Sequence, residues 1–460
     1  MNSILPVIIL VIGVFLSVYD PSLFVVLYGI TASTKDALGV SSFMEMGFHN
    51  FQFFMNTILI FSFIFIFIHY NFKVKATKYT ISQILLCVCI ILCIFTCVII
   101  RSFDEDIVFI GVLFSEIADY SPIFIAILLL RYDKEKLLKL LMFFTGFQTI
   151  LALAVIYLPQ VNYHGLDVIK GINYLSMQNA IQFDVSSANI FTLFSSLTNK
   201  YSFNQISIFH NSNDTGFYGA TTAFLFFCVT CKSKKVFSKI LLLVISFLGL
   251  LLWANSGMRG PIFGIILSII IYYLIVEQKA GKKSIALALF LVIIAYIVIN
   301  PEMILKYFNN SNIQVSFESR NIRRINGLSY IKDNLLFGSL GQPAVLTLAS
   351  SDVHELPLYM AALFGLPVGI MYCFTVYIKP IKQMITQGKL YKSLISIGLY
   401  FILISVSLTN SFTDQVLFWF MLAVAIPHSA DECTIESLIE KSNTEMKHCR
   451  GKYENRICGR

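Results

Sequence analysis

The sequence predicts an all-α, polytopic membrane protein, and three observations carry that expectation. The 460 residues are 57% hydrophobic and only 13% charged, about half the charged share of a water-soluble domain. Apolar runs of about 18–25 residues recur along most of the chain, each long enough to cross a hydrocarbon core of roughly 30 Å as a helix. The basic residues outnumber the acidic ones by 34 to 26, yet they gather in alternate connections between those runs. That pattern marks membrane orientation, and no nucleic-acid partner is expected.

In order, the runs fall near 4–30, 52–70, 81–100, 107–130, 140–158, 216–231, 240–254, 261–276, 284–300, 357–378, 393–409 and 414–428. They make about twelve transmembrane helices. A single membrane domain, 1–428, is expected, followed by a polar cytoplasmic tail at 429–460. The first run follows Met-Asn-Ser without Lys or Arg and lacks a small-residue cleavage site, so a retained helix is expected rather than a signal peptide. Asp20-Pro21 interrupts it and leaves open whether 4–30 is one span or a hairpin. Every second connection is basic: Lys73 to Lys78, Arg131 to Lys139, Lys232 to Lys239, Lys279 to Lys283 and Lys379 to Lys392. By the positive-inside rule these loops and both termini are cytoplasmic. The long loops 159–215 and 301–356 then lie outside, on the face expected to carry the chemistry.

Cys87, Cys89, Cys93, Cys97, Cys228, Cys231 and Cys373 fall in spans or at their inner ends, and Cys433, Cys449 and Cys458 in the tail. None is in an outer loop, so reduced thiols are expected. The tail cysteines with His448 lack the close CxxC pair of a metal cluster, and no metal site is expected. The chain has no Walker-type phosphate loop, no GxGxxG after a strand and no HExxH, which argues against ATP-driven transport by this chain alone. Glu116 and Asp119 stand within the fourth run, either as a functional intramembrane pair or in an irregular, solvated stretch before Pro122.

Polar landmarks gather between about Phe203 and Gly369. His210-Asn211-Ser212-Asn213-Asp214-Thr215-Gly216 precedes the sixth run, and Asn255-Ser256-Gly257-Met258-Arg259-Gly260 turns the seventh into the eighth. Ser319-Arg320, with Arg323 and Arg324, opens an expected amphipathic helix through Lys332, ahead of Asn334-Leu335-Leu336-Phe337-Gly338-Ser339-Leu340-Gly341. Asp352-Val353-His354-Glu355 leads into the tenth run. Arginine's planar fork suits phosphate oxygens, so Arg259, Arg320, Arg323 and Arg324 form a candidate anion site at the membrane surface. A histidine, with an ordinary pKa near ~6.5, suits general-base work at neutral pH. His354 is the candidate base, with Glu355 or Asp352 beside it to orient the imidazole. Asn213 and Asp214 read equally as ligands or as the N-cap of the sixth helix. Arg259 also reads as a lipid-headgroup anchor, and Arg323 and Arg324 as the solvated face of a loop helix.

This order of motifs resembles the bacterial O-antigen ligase and polysaccharide polymerase superfamily. Its members show an Asn-containing element, a Ser-x-Arg-Gly or Ser-Arg-Gly turn, and a large outer loop. That loop carries a Ser-Arg start, an Asn-Pro-Leu-Phe-Gly-x-Gly-like segment and a His-Asn entering the next helix. This chain departs at Glu355, where Asn usually follows the His, and at Leu335, where Pro is common.

The resemblance implies a membrane glycosyltransferase in a bacterial cytoplasmic (inner) membrane, acting on O-antigen, capsule or exopolysaccharide. Its donor would be an undecaprenyl-diphosphate-linked glycan and its acceptor a sugar hydroxyl, with membrane lipid, a chain-length regulator and a flippase as further partners. Direct transfer with inversion would need no cofactor. Asp104-Glu105-Asp106 resembles the acidic motif of metal-dependent enzymes of the lipid-sugar class, and equally reads as an ordinary acidic outer loop. Polymerase is the expected activity, because the long 159–215 loop and the altered His-Glu suggest adaptation to one repeat unit; O-antigen ligase, with lipid A core as acceptor, is the alternative. A flippase or other transporter would also have about twelve helices, but transporters usually carry short loops and a midplane site built from repeats.

Overall fold

The computed structural model describes residues 4–34, 48–69, 78–104, 113–114, 117–118, 134–157, 212–256, 258, 260–276, 311–338, 353, 355–386, 393–408 and 415–425. The ninth expected span and the tail lie outside these residues, as do most of the fourth span and most of the 159–215 loop. Among the described residues every regular element is helical.

The chain opens with α1 (Ile4–Tyr19) and α2 (Pro21–Thr34). They meet at Asp20, which favours the hairpin alternative for this run. The Asp20 carboxylate accepts from Ser22 N at 3.2 Å and Ser22 Oγ at 2.9 Å, capping α2. It also pairs with Lys136. The Phe24 ring returns to 3.4 Å from the Cβ position of Gly13, so α2 bends back on α1. Next come α3 (Phe48–His69), α4 (Lys78–Asp104) and α5 (Lys134–Tyr157).

A tight hairpin follows, formed by α6 (Ser212–Lys232) and α7 (Val236–Ser256). Small residues let its backbones meet: a Cβ on Gly219 would lie 2.5 Å from Trp253 N, and one on Gly249 2.6 Å from Ala223 N. Ser246 Oγ donates across the same seam to the Ala223 carbonyl at 2.8 Å. Beyond it run α8 (Gly260–Ile271), extended by a π turn at Tyr272–Val276, and the loop helix α9 (Ser311–Asp333).

The tenth expected span is two helices, α10 (Leu356–Phe364) and α11 (Leu366–Tyr372), broken at Gly365. A π turn, Cys373–Ile378, continues α11 into α12 (Lys379–Thr386). A π turn disturbs the regular ladder of carbonyl acceptors. Here neighbouring helices supply donors: Gln83 Nε2 reaches the Thr375 carbonyl at 3.0 Å, and Tyr400 Oη reaches those of Val376 and Tyr377, each at 3.0 Å.

The chain's last described helices are α13 (Leu394–Ser407) and α14 (Gln415–Ala425). Apolar around its whole circumference, α14 is buried from Val416 through Ala425. Phe420 stacks on Phe144 of α5 at 6.2 Å, Trp419 meets Tyr372 of α11 edge-on at 5.6 Å, and the Thr221 hydroxyl of α6 reaches Met421 Sδ at 3.4 Å. This helix therefore ties the α5–α6 side of the bundle to α11.

Among the described residues three helices are long and apolar enough to cross a bilayer: Gln83–Ile100, Glu135–Ala154 and Val236–Ser256. In α7, the large apolar side chains of Val236, Phe237, Ile240, Leu241, Val244 and Phe247 face outward. An apolar surface of that extent is unusual on a protein bathed in water. Shorter apolar helices include Val7–Tyr19, Gly260–Leu274 and Leu394–Ser407.

Candidate functional site

The polar landmarks fall into two structural groups. In the first, the opening turn of α6 packs against the end of α7. A Cβ on Gly216 would lie 2.5 Å from both Met258 Cβ and Ser256 Oγ. The turn after α7 is stapled from within: Trp253 Nε1 donates to the Met258 carbonyl at 2.7 Å, and Met258 N donates to Ser256 Oγ at 3.1 Å. Asp214 and Asn255 are both buried in this region. Because α6 begins at Ser212, Asn213 and Asp214 lie inside its first turn and are not its N-cap; Asp214 there complements the positive end of the helix dipole. Arg259 lies outside the described residues.

The second group is built on α9. This helix begins at Ser311, not at Ser319 as the sequence suggested, so Arg320, Arg323 and Arg324 sit along its middle. Its inner face docks on Val353 and Glu355 and on the first half of the tenth span. Arg324 Nε donates to Glu355 Oε1 at 2.9 Å, and Nη2 reaches the same oxygen. The Gly327 backbone lies against the Val353 side chain, which is buried. Ile331 packs with Ala361 and Ala362. Leu366 N donates to the Leu335 carbonyl at 2.8 Å. From Arg324 with Glu355, through Ile331 with Ala361 and Ala362, to Leu335 with Leu366, positions ascend together, so α9 and α10 run side by side in the same direction.

The contact ends in an interlock of two glycines. Gly338 has φ +64° and Gly365 φ +92°, conformations that L side chains rarely adopt. A Cβ on Gly338 would overlap the Leu363 carbonyl, and one on Gly365 would overlap that of Leu336. The Asn334–Gly338 segment therefore closes α9 and clamps it onto the break between α10 and α11. The break has further support from Cys97 Sγ, which lies 3.3 Å from the Phe364 carbonyl.

Of the expected site residues, Arg324 and Glu355 are brought together, and Arg323 lies half-buried toward the docked face of α9. Arg324 engages Glu355, so that carboxylate is not held solely for an imidazole. His354 and Asp352 lie outside the described residues, but both sequence neighbours of His354 are held by α9: Val353 against Gly327 and Glu355 by Arg324. Among the described residues no group of three or more metal-ligating side chains occurs.

Sequence reasoning passed over Gly327 and the pairing of Gly338 with Gly365. The break had a legible sign in the repeated Leu-Pro of Leu356-Pro357 and Leu366-Pro367, since proline is at home in a helix's first turn.

Among the described residues every regular element is helical, three helices are long and apolar enough to cross a membrane, and a polar loop helix is clamped to a broken one. Compared with models of known families, with characterised proteins and with solved structures, the chain matches none.

Proposed function

We propose that this chain is a polysaccharide polymerase of the bacterial cytoplasmic membrane, a single domain of about twelve transmembrane helices with both termini inside. On this reading it transfers a growing glycan from undecaprenyl diphosphate to a sugar hydroxyl of the next lipid-linked repeat, on the outer face. The observation that carries the reading is the docking of an arginine-bearing helix against the segment that contains His354. Group transfer from a diphosphate needs a cationic site for the leaving group and a base for the attacking hydroxyl. Arg320, Arg323 and Arg324 occupy one helix beside Val353 and Glu355, which flank the proposed base. Glu355 fixes Arg324, so in this proposal Arg323, Arg320 and Arg259 are the candidates for the diphosphate, and Asn213 and Asp214 for the glycan.

The test is a glycan banding gel from cells deleted for the gene, with undecaprenyl-linked material analysed in parallel. A polymerase predicts a single repeat on the final anchor in the deletion and a full ladder on complementation. Polymer accumulating on undecaprenyl while the lipid A core stays bare would instead identify a ligase. Normal polymer on the anchor in the deletion would remove both.

A further inference from the structure

We propose that residues 324–338 form a re-entrant element: the second half of α9 enters the outer leaflet beside the tenth span and rests Leu335, Leu336 and Phe337 on lipid acyl chains. This rests on the reading of 357–378 as a membrane span. The sequence places the 301–356 loop outside, with its arginines at the membrane surface, and three structural observations point to a deeper position for its central part.

The first observation is register. Arg324 pairs with Glu355 at the head of α10, but Leu335 meets Leu366, on the far side of α10. A helix of 9 residues is roughly 14 Å long at ~1.5 Å per residue. The turn therefore lies nearly half of a ~30 Å hydrocarbon core below the span's outer end.

The second is backbone pairing, which a lipid environment demands because no water is there to satisfy free N–H and C=O groups. Asn334 N donates to the Tyr330 carbonyl at 3.0 Å, Gly338 N to that of Asn334 at 3.0 Å, and Leu366 N to that of Leu335 at 2.8 Å. The third is continuity of surface. Leu335, Leu336 and Phe337 are 50%, 65% and 37% exposed. They sit at the head of an outward-facing row, Leu366, Ile370, Phe374 and Ile378, spaced four residues apart along α11 and its π turn. If that row faces acyl chains, the turn joined to its top faces them too.

The experiment is tryptophan fluorescence of the full chain in phosphatidylcholine–phosphatidylglycerol vesicles, with or without brominated acyl chains, and with iodide as the aqueous quencher. Leu336→Trp adds one reporter over Trp253 and Trp419, whose emission is subtracted using the wild type; Phe337→Trp repeats the test should the first variant not fold. Phe374→Trp reports on the span itself. The re-entrant assignment predicts that the Leu336→Trp emission is blue-shifted, loses most of its intensity in brominated lipid and is insensitive to iodide. Quenching by iodide alone would put the turn in water, and insensitivity to both quenchers would mean that protein covers it; either result overturns the proposal. Loss of lipid quenching at Phe374→Trp as well would overturn the spanning reading itself, whereas loss at Leu336→Trp alone would overturn only the re-entrant element.

Discussion

Gly365→Ala puts a methyl group into the interlock that holds α9 against the tenth span. Two costs combine. A backbone at φ +92° and ψ 163°, a region essentially confined to glycine, is unfavourable by about 1–3 kcal/mol for a residue bearing a Cβ. The methyl also meets the Leu336 carbonyl and lies 2.8 Å from Phe337 N; these are backbone atoms that no side-chain rotation can clear, and overpacking of this kind costs about 1–3 kcal/mol. Together the penalty is about 2–6 kcal/mol, which at about 1.4 kcal/mol per decade shifts the docked-to-undocked ratio by roughly 30-fold to about 20,000-fold. Amide hydrogen exchange of the reconstituted protein reads this directly: exchange across Arg324–Gly338 should accelerate in the variant while α6 and α7 keep wild-type protection. Gly13→Ala is the control, since its Cβ would meet the Phe24 ring at 3.4 Å, Ile58 Cδ1 at 3.7 Å and Met55 Sδ at 3.8 Å, all ordinary contacts. Wild-type exchange across Arg324–Gly338 in a folded Gly365→Ala protein would refute the clamp.

Other perturbations have equally definite outcomes. Arg324→Ala and Glu355→Ala, combined in a double-mutant cycle, should show a coupling of only about 0–1 kcal/mol in thermal stability, because Arg324 is half-exposed; a coupling well above that would mean the pair is buried by lipid or protein. Asp20→Ala removes the cap of α2 and the partner of Lys136, and should lower stability by about 0.5–2 kcal/mol from the cap alone, measured as a drop in Tm. Gly249→Ala forces apart the α6–α7 seam at Ala223 N and should cost about 1–3 kcal/mol, with Gly219→Ala on the facing helix giving a similar loss.

Much of the helical architecture was legible because its physics is local. Apolar runs such as 81–100 and 240–254 are long enough to read without neighbours, and α4 and α7 contain them. The break at Asp20-Pro21 was also visible, though only the return of Phe24 to Gly13 chose the hairpin. What the sequence could not supply was register between distant segments. Nothing in Arg324 announces Glu355, and nothing in Gly338 announces Gly365, because each depends on how a loop helix lies along a partner some thirty residues away in sequence. For the same reason the Asn334–Gly341 stretch reads in sequence only as a polar landmark, while in the fold its Asn334–Gly338 part is a clamp. The start of α9 was misjudged because Ser311–Glu318 is mixed in polarity and carries no strong helical period, so the arginines drew the boundary to themselves.

The proposed role of His354 in glycan transfer is decided with purified protein in vesicles given undecaprenyl-diphosphate-linked repeats and followed by product length. Wild type should build a ladder of longer glycans, and His354→Ala should lose it while keeping the wild-type melting temperature and hydrogen-exchange pattern. Absence of elongation by the wild type would overturn the polymerase proposal, and a full ladder from His354→Ala would remove His354 from the chemistry.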